Sequence, residues 1–174
     1  MRTWTLTLSA LLLTACGESK SVEDTQDSAG SGGDPLAAAL WDSIQGFESW
    51  PQPTEWDGVQ ASEDGTHGDF VQIFGDADTL TAVTAGSDVP DGGILVKCGF
   101  ESAEDTIADN CTLTAMQKIS GYDSEHGDWY WAKFDLATGE TQLSGQVSGC
   151  FGCHESADAD GDFVLYDDVA AAGE

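Results

Sequence analysis

Five consecutive residues, Cys150-Phe151-Gly152-Cys153-His154, constrain this 174-residue chain more than any other stretch. Two thiols three positions apart, with an imidazole directly after the second, form C-x-x-C-H, the attachment motif of c-type haem: the thiols add to the two vinyl groups and the adjacent His reaches the iron. The spacing is demanded by the porphyrin, which also needs an apolar wall. With 5 Cys and 3 His in the chain, the pattern arises by chance roughly 0.002 times per chain of this length. Two other chemistries use such cysteines. A redox dithiol sits in a thioredoxin-like βαβ frame, which is not evident here, and a zinc site needs two more ligands at ligand-like spacing. The reading is therefore one covalent haem c on Cys150 and Cys153, with His154 as proximal iron ligand.

The N-terminus agrees with that reading. Arg2 opens a short basic region, and residues 4–15 are apolar or small and too few to span a bilayer, which is the form of a secretory signal. The signal ends Leu13-Thr14-Ala15-Cys16-Gly17, which resembles a bacterial lipobox, where Cys16 is acylated and the bond before it is cut; an ordinary signal with an incidental Cys is the alternative. Export suits a c-type cytochrome, which is matured outside the bacterial cytoplasm. Gly17 stands where an Asp signals inner-membrane retention, which favours the outer membrane, facing periplasm or exterior. Residues 16–34 carry almost no large apolar side chain and read as a flexible acidic tether, leaving 35–174 as the haem domain.

Thirty-two acidic residues against five basic ones give a formal net charge of −27, which argues against nucleic acid or an anionic membrane surface as a partner. Membrane attachment is expected through the lipid alone. Removing residues 1–15 takes away the only Arg, so Lys97, Lys118 and Lys133 are the main cations for haem propionates, with a solvated surface role as the alternative. With Cys16, Cys150 and Cys153 assigned, Cys98 and Cys111 remain, and in an oxidising compartment a disulfide is expected in preference to two buried thiols.

Asp34-Pro35 is a helix start, and Leu36, Leu40, Ile44 and Phe47 recur at helical spacing up to Pro51. Residues 76–85 read as a second short helix ended by Gly86. Residues 70–74, 94–98, 111–119, 129–136 and 141–147 read as strands, with 137–140 as a hairpin turn and 162–166 as a last short strand. The fold class is α+β: a mostly antiparallel sheet with an N-terminal helix and a short helix carrying the haem motif. The aromatic group Trp129, Tyr130 and Trp131 belongs to the core or to a haem wall.

Met116, His67 and His126 are the candidates for the sixth iron position. Met116 lies in an alternating strand and suits a core, His126 sits in a loop, and His67 suits a carbonyl or a propionate as well as iron. Ser156, Asp158, Asp160, Gly161, Asp162 and Asp167 approximate a calcium loop, but with Ser first and Asp last they read as a solvated turn.

The ordered set Val89-Pro90-Asp91-Gly92-Gly93-Ile94-Leu95-Val96-Lys97, Met116-Gln117-Lys118-Ile119-Ser120-Gly121-Tyr122-Asp123, Gly127-Asp128-Trp129-Tyr130-Trp131, Cys150 to His154 and Asp160-Gly161-Asp162-Phe163-Val164 resembles the cytochrome P-460 family and its relatives, the beta-type cytochromes c-prime. The resemblance implies a mostly antiparallel sheet carrying one c-type haem whose iron is five-coordinate or weakly six-coordinate. It implies oxidation of hydroxylamine, or binding of nitric oxide in an apolar distal pocket, together with a redox partner protein. In the hydroxylamine-oxidising members a lysine is cross-linked to the porphyrin, and Lys97 stands at the matching place, followed by Cys98 where an acidic residue is often found. The alternative function is a six-coordinate periplasmic electron carrier; monomer and dimer both stay open.

Overall fold

Alternation of apolar and polar residues dominates the middle of the chain, and the computed structural model turns it into one sheet. The structure describes residues 33–54, 56–62, 65–157 and 162–165; the signal segment, Cys16 and most of the tether lie outside the described residues. Six strands, β1 (Gln60–Ala61), β2 (Phe70–Gly75), β3 (Ile94–Phe100), β4 (Thr112–Lys118), β5 (Trp129–Phe134) and β6 (Thr141–Gly145), pair antiparallel in chain order. With α1 (Pro35–Ser43) at the N-terminus and α4 (Ser148–His154) carrying the cysteines, this is the expected α+β arrangement.

Because successive side chains of a strand point to opposite faces, the sheet has two different sides. On one, Val96, Leu113, Ala115, Tyr130 and Phe134 pack with Leu40 of α1 and with Ile44 just beyond it. On the other, Leu95, Met116, Trp129 and Trp131 pack with Leu80 and Val83 of α2 (Ala77–Thr84) and with Phe163. Register carries two rungs across this second side: Leu95, Met116 and Trp131 lie abreast, and Ile73, Lys97, Thr114, Lys133 and Leu143 form the next rung.

Caps tie the helices to the sheet. Asp34 Oδ1 accepts from the Leu36 amide (3.0 Å), while its Oδ2 accepts from Ser144 Oγ (2.7 Å) and from the Tyr130 hydroxyl, so the α1 cap also clamps β5 and β6. Asp76 caps α2 by accepting from the Thr79 amide (2.9 Å), and its other oxygen accepts from the Ile94 amide at the start of β3 (2.9 Å).

Two expectations are corrected. The first helix does not run on to Phe47: α1 stops at Ser43, Gly46 takes φ 76°, and Phe47–Ser49 is a separate 3-10 turn that still buries Phe47. Residues 162–165 do not form a strand: Asp162 (φ 49°) and Phe163 (φ 63°) are left-handed and make a turn, and residues 164–165 are irregular; Tyr166 lies outside the described residues. Cys98 and Cys111 are joined by a disulfide that closes the loop containing α3 (Ile107–Asn110). Among the described residues no helix is long and apolar enough to cross a membrane.

Candidate haem-binding site

The helix α4 has seven residues and two of them, Gly149 and Gly152, weaken it. Its first turn is closed by the Val147 carbonyl, which accepts from the Cys150 (2.8 Å) and Phe151 (3.1 Å) amides. Packing supplies the rest: the Phe151 ring stacks on His126, centroids 3.7 Å apart. His126 is fixed in turn, with Nδ1 2.9 Å from the Asp123 carboxylate and Nε2 3.6 Å from Glu155. The loop histidine considered for iron is thus a brace for the helix that carries the cysteines.

His154, the last residue of α4, is buried, and its Nδ1 lies 2.7 Å from the Phe163 carbonyl oxygen. A carbonyl only accepts, so Nδ1 carries the proton and Nε2 is the lone-pair nitrogen, the tautomer a metal requires. Trp131 packs against the same imidazole, with centroids 4.7 Å apart and planes at 62°.

Phe163 owes its place to Asp162. The Asp162 carboxylate accepts from the Val89 amide (2.8 Å) and pairs with the Lys118 ammonium, while its carbonyl accepts from Trp129 Nε1 (2.8 Å). The acid read as part of a solvated turn is therefore an anchor for the residue that holds His154. Asp158, Asp160, Gly161 and Asp167 lie outside the described residues. Lys118 is committed to Asp162 and to the face of Trp129, 5.2 Å from its ring centroid, which corrects its reading as a propionate partner.

Between α4 and the second side of the sheet lies a cleft of about 1190 Å³. Cys150, Cys153 and His154 border it, and Leu95, Lys97, Met116, Trp131 and Lys133 come from the two rungs of the sheet. The aromatic triplet is thereby divided. Trp131 is wall, Trp129 is core on the same side, and Tyr130 is core on the opposite side. Met116 is buried in the wall, abreast of Leu95 and Trp131.

These residues suit a haem better than the other chemistries. Burial pushes the Cys150 thiol up, against the lowered value of a reactive dithiol. Among the described residues no cluster of three or more His, Cys, Asp and Glu could hold a bare metal ion. Trp131 Nε1 is buried without a hydrogen-bond partner among the described residues. Two thiols, a lone-pair imidazole nitrogen and an apolar wall meet in one cleft.

His67 also lines the cleft, and its ring centroid is 6.4 Å from that of His154, with the planes crossed at 86°. Its backbone rests on β3: a Cβ at Gly99 would stand 1.5 Å from the His67 carbonyl oxygen, and one at Gly68 would stand 2.6 Å from the Phe100 carbonyl oxygen.

The family model Cytochrome P460 matches residues 45–166, more than half of the chain and all of the cleft residues named above. No curated protein matches the chain.

Proposed function

This chain belongs to the cytochrome P460 family, and on that premise we propose that it is a lipid-anchored, single-haem c-type cytochrome of the bacterial cell envelope that binds nitric oxide or oxidises a small nitrogen compound such as hydroxylamine. The observation that carries this reading is His154, buried at the border of the cleft that Cys150 and Cys153 also line and locked by the Phe163 carbonyl in the metal-binding tautomer. When bound, a haem supplies a redox-active iron that takes small nitrogen ligands. Cys150 and Cys153 would hold it by thioethers, His154 would supply a nitrogen to the iron, and Leu95, Met116 and Trp131 would wall it from water. Lys97 and Lys133 stand on either side of Thr114 in the rung that crosses the cleft, where their charges suit propionates. Lys97 is also the candidate for a bond to the porphyrin edge. Hydroxylamine oxidation would pass electrons on to a redox partner protein.

The test is maturation of the full chain in a host with a cytochrome c assembly system. One haem mass retained under denaturing conditions, lost in Cys150→Ala/Cys153→Ala, and a spectrum that responds to nitric oxide are expected; absence of covalent haem overturns the reading. A red-shifted ferrous Soret band abolished by Lys97→Arg marks the cross-link. Labelling with a fatty acid that disappears in Cys16→Ala marks the anchor, and fractionation of the labelled protein checks the outer membrane. A second reading, electron transfer through a six-coordinate iron, draws on the position of His67 beside His154.

A further inference from the structure

We infer that His67 is the second axial ligand of the haem iron, an inference that rests on a haem being carried by Cys150, Cys153 and His154. Two imidazoles sharing one metal place their ring centroids roughly 6.3 Å apart, from two metal–nitrogen bonds of about 2.0 Å and two centroid-to-nitrogen distances of about 1.15 Å. The rings of His67 and His154 are 6.4 Å apart. An 86° angle between their planes is the crossed arrangement that two imidazoles on a common axis can adopt.

The position of His67 is built into the fold. Its backbone carbonyl lies where a side chain on Gly99 would be, and Gly68, at φ 126°, lies against the Phe100 backbone. Only glycine at both positions lets this loop settle on β3, and that contact sets His67 at the cleft. His126 is held between Asp123 and Glu155 and stacked on Phe151, and Met116 is packed in the sheet wall abreast of Leu95 and Trp131.

His67 comes from a loop, whereas His154 is buried and anchored by Phe163. The weaker tether makes His67 the ligand that yields to an incoming small molecule. Nitric oxide then exchanges one nitrogen ligand for another without any electron being moved, and His67 gates access.

The experiment compares the matured full chain with His67→Ala and His67→Met by absorption and electron paramagnetic resonance in the ferric state, with covalent haem quantified in each. The expected result is a low-spin wild type with a bis-imidazole signature, a high-spin His67→Ala with unchanged covalent haem, and nitric oxide binding at least tenfold faster in His67→Ala. Should that variant fail to fold, the wild-type resonance signature and a sulfur-to-iron charge-transfer band in His67→Met carry the test. A high-spin wild type with covalent haem overturns the inference and leaves the proposed function standing. A low-spin His67→Ala also overturns it, by assigning the ligand to another residue such as Met116 or Lys97. Failure to bind covalent haem at all overturns the proposed function and the inference with it.

Discussion

The imidazole of His126 lies face to face with the ring of Phe151, 3.7 Å between centroids and 20° between planes. A loop between β4 and β5 thereby holds a helix that its two glycines would leave marginal. His126→Ala is expected to cost about 1 kcal/mol, the usual worth of an aromatic pair, with the urea midpoint lowered and the slope unchanged. His126→Phe keeps the stack while losing the Asp123 and Glu155 contacts, and should recover part of the loss. A wild-type midpoint in His126→Ala would show that α4 stands without its brace.

Much of this site was legible because it is local. The C-x-x-C-H spacing lies within one helix, and five of the six strands follow from alternation; β1, with two residues, and α3, a single turn, are too short to show a period. The same alternation assigns Tyr130 and Trp131 to opposite faces, a division the sequence contained and the reading of an undivided aromatic group missed. Asp162 and Phe163 were beyond reach. Their left-handed backbone is held by Val89, Lys118 and Trp129, all distant in the chain, so an apolar run that looks extended is bent into a support for His154. The seat of His67 on Gly99 is equally non-local, and no pattern around either residue announces it.

Two glycines should respond oppositely to alanine. At Gly99 a Cβ would overlap the His67 carbonyl oxygen, so Gly99→Ala is expected to cost about 3 kcal/mol, at the upper end of overpacking effects. At Gly149, inside α4, a Cβ would meet nothing within 4 Å, so Gly149→Ala should be neutral or stabilising by up to about 1 kcal/mol through helix propensity. Thermal unfolding of the two variants beside wild type decides it. Equal melting temperatures would contradict the close approach at Gly99.

The disulfide closes a loop with a sequence separation of 13 between a fully buried Cys98 and a half-buried Cys111. By the chain-entropy model such a bridge contributes roughly 3 kcal/mol. Cys98→Ala/Cys111→Ala should therefore lower the urea midpoint substantially, and adding reductant to wild type should have the same effect. A double variant as stable as wild type would mean that packing alone holds the loop.

Asp34 gives the domain an acid limb with a definite sign. Burial pushes its carboxyl up, but hydrogen bonds from Tyr130, Ser144 and the Leu36 and Ala37 amides outweigh burial and leave it below the ordinary carboxylate value. The folded protein therefore resists protonating Asp34, while the unfolded chain takes the proton at its usual pH. Stability from this group is fully present above the unfolded value and is lost as pH falls through the folded one. Asp34→Asn keeps a capping oxygen but no charge, so it should cost about 1 kcal/mol or less at neutral pH. Its deficit against wild type should shrink as pH falls from about 7 towards 2. Asp76, lowered by bonds from Thr79 and Ile94 that outweigh burial, acts in the same direction, so Asp34→Asn flattens the acid limb without abolishing it. Tyr130 has the opposite sign: burial and its bond to Asp34 raise it far above the ordinary phenol value. Its contribution holds below the unfolded value and fades as pH rises through the folded one, so Tyr130→Phe should flatten the alkaline limb. Urea midpoints of wild type, Asp34→Asn and Tyr130→Phe across the acid and alkaline ranges test both signs. Curves that run parallel throughout would remove the Asp34–Tyr130 pair as a source of pH dependence.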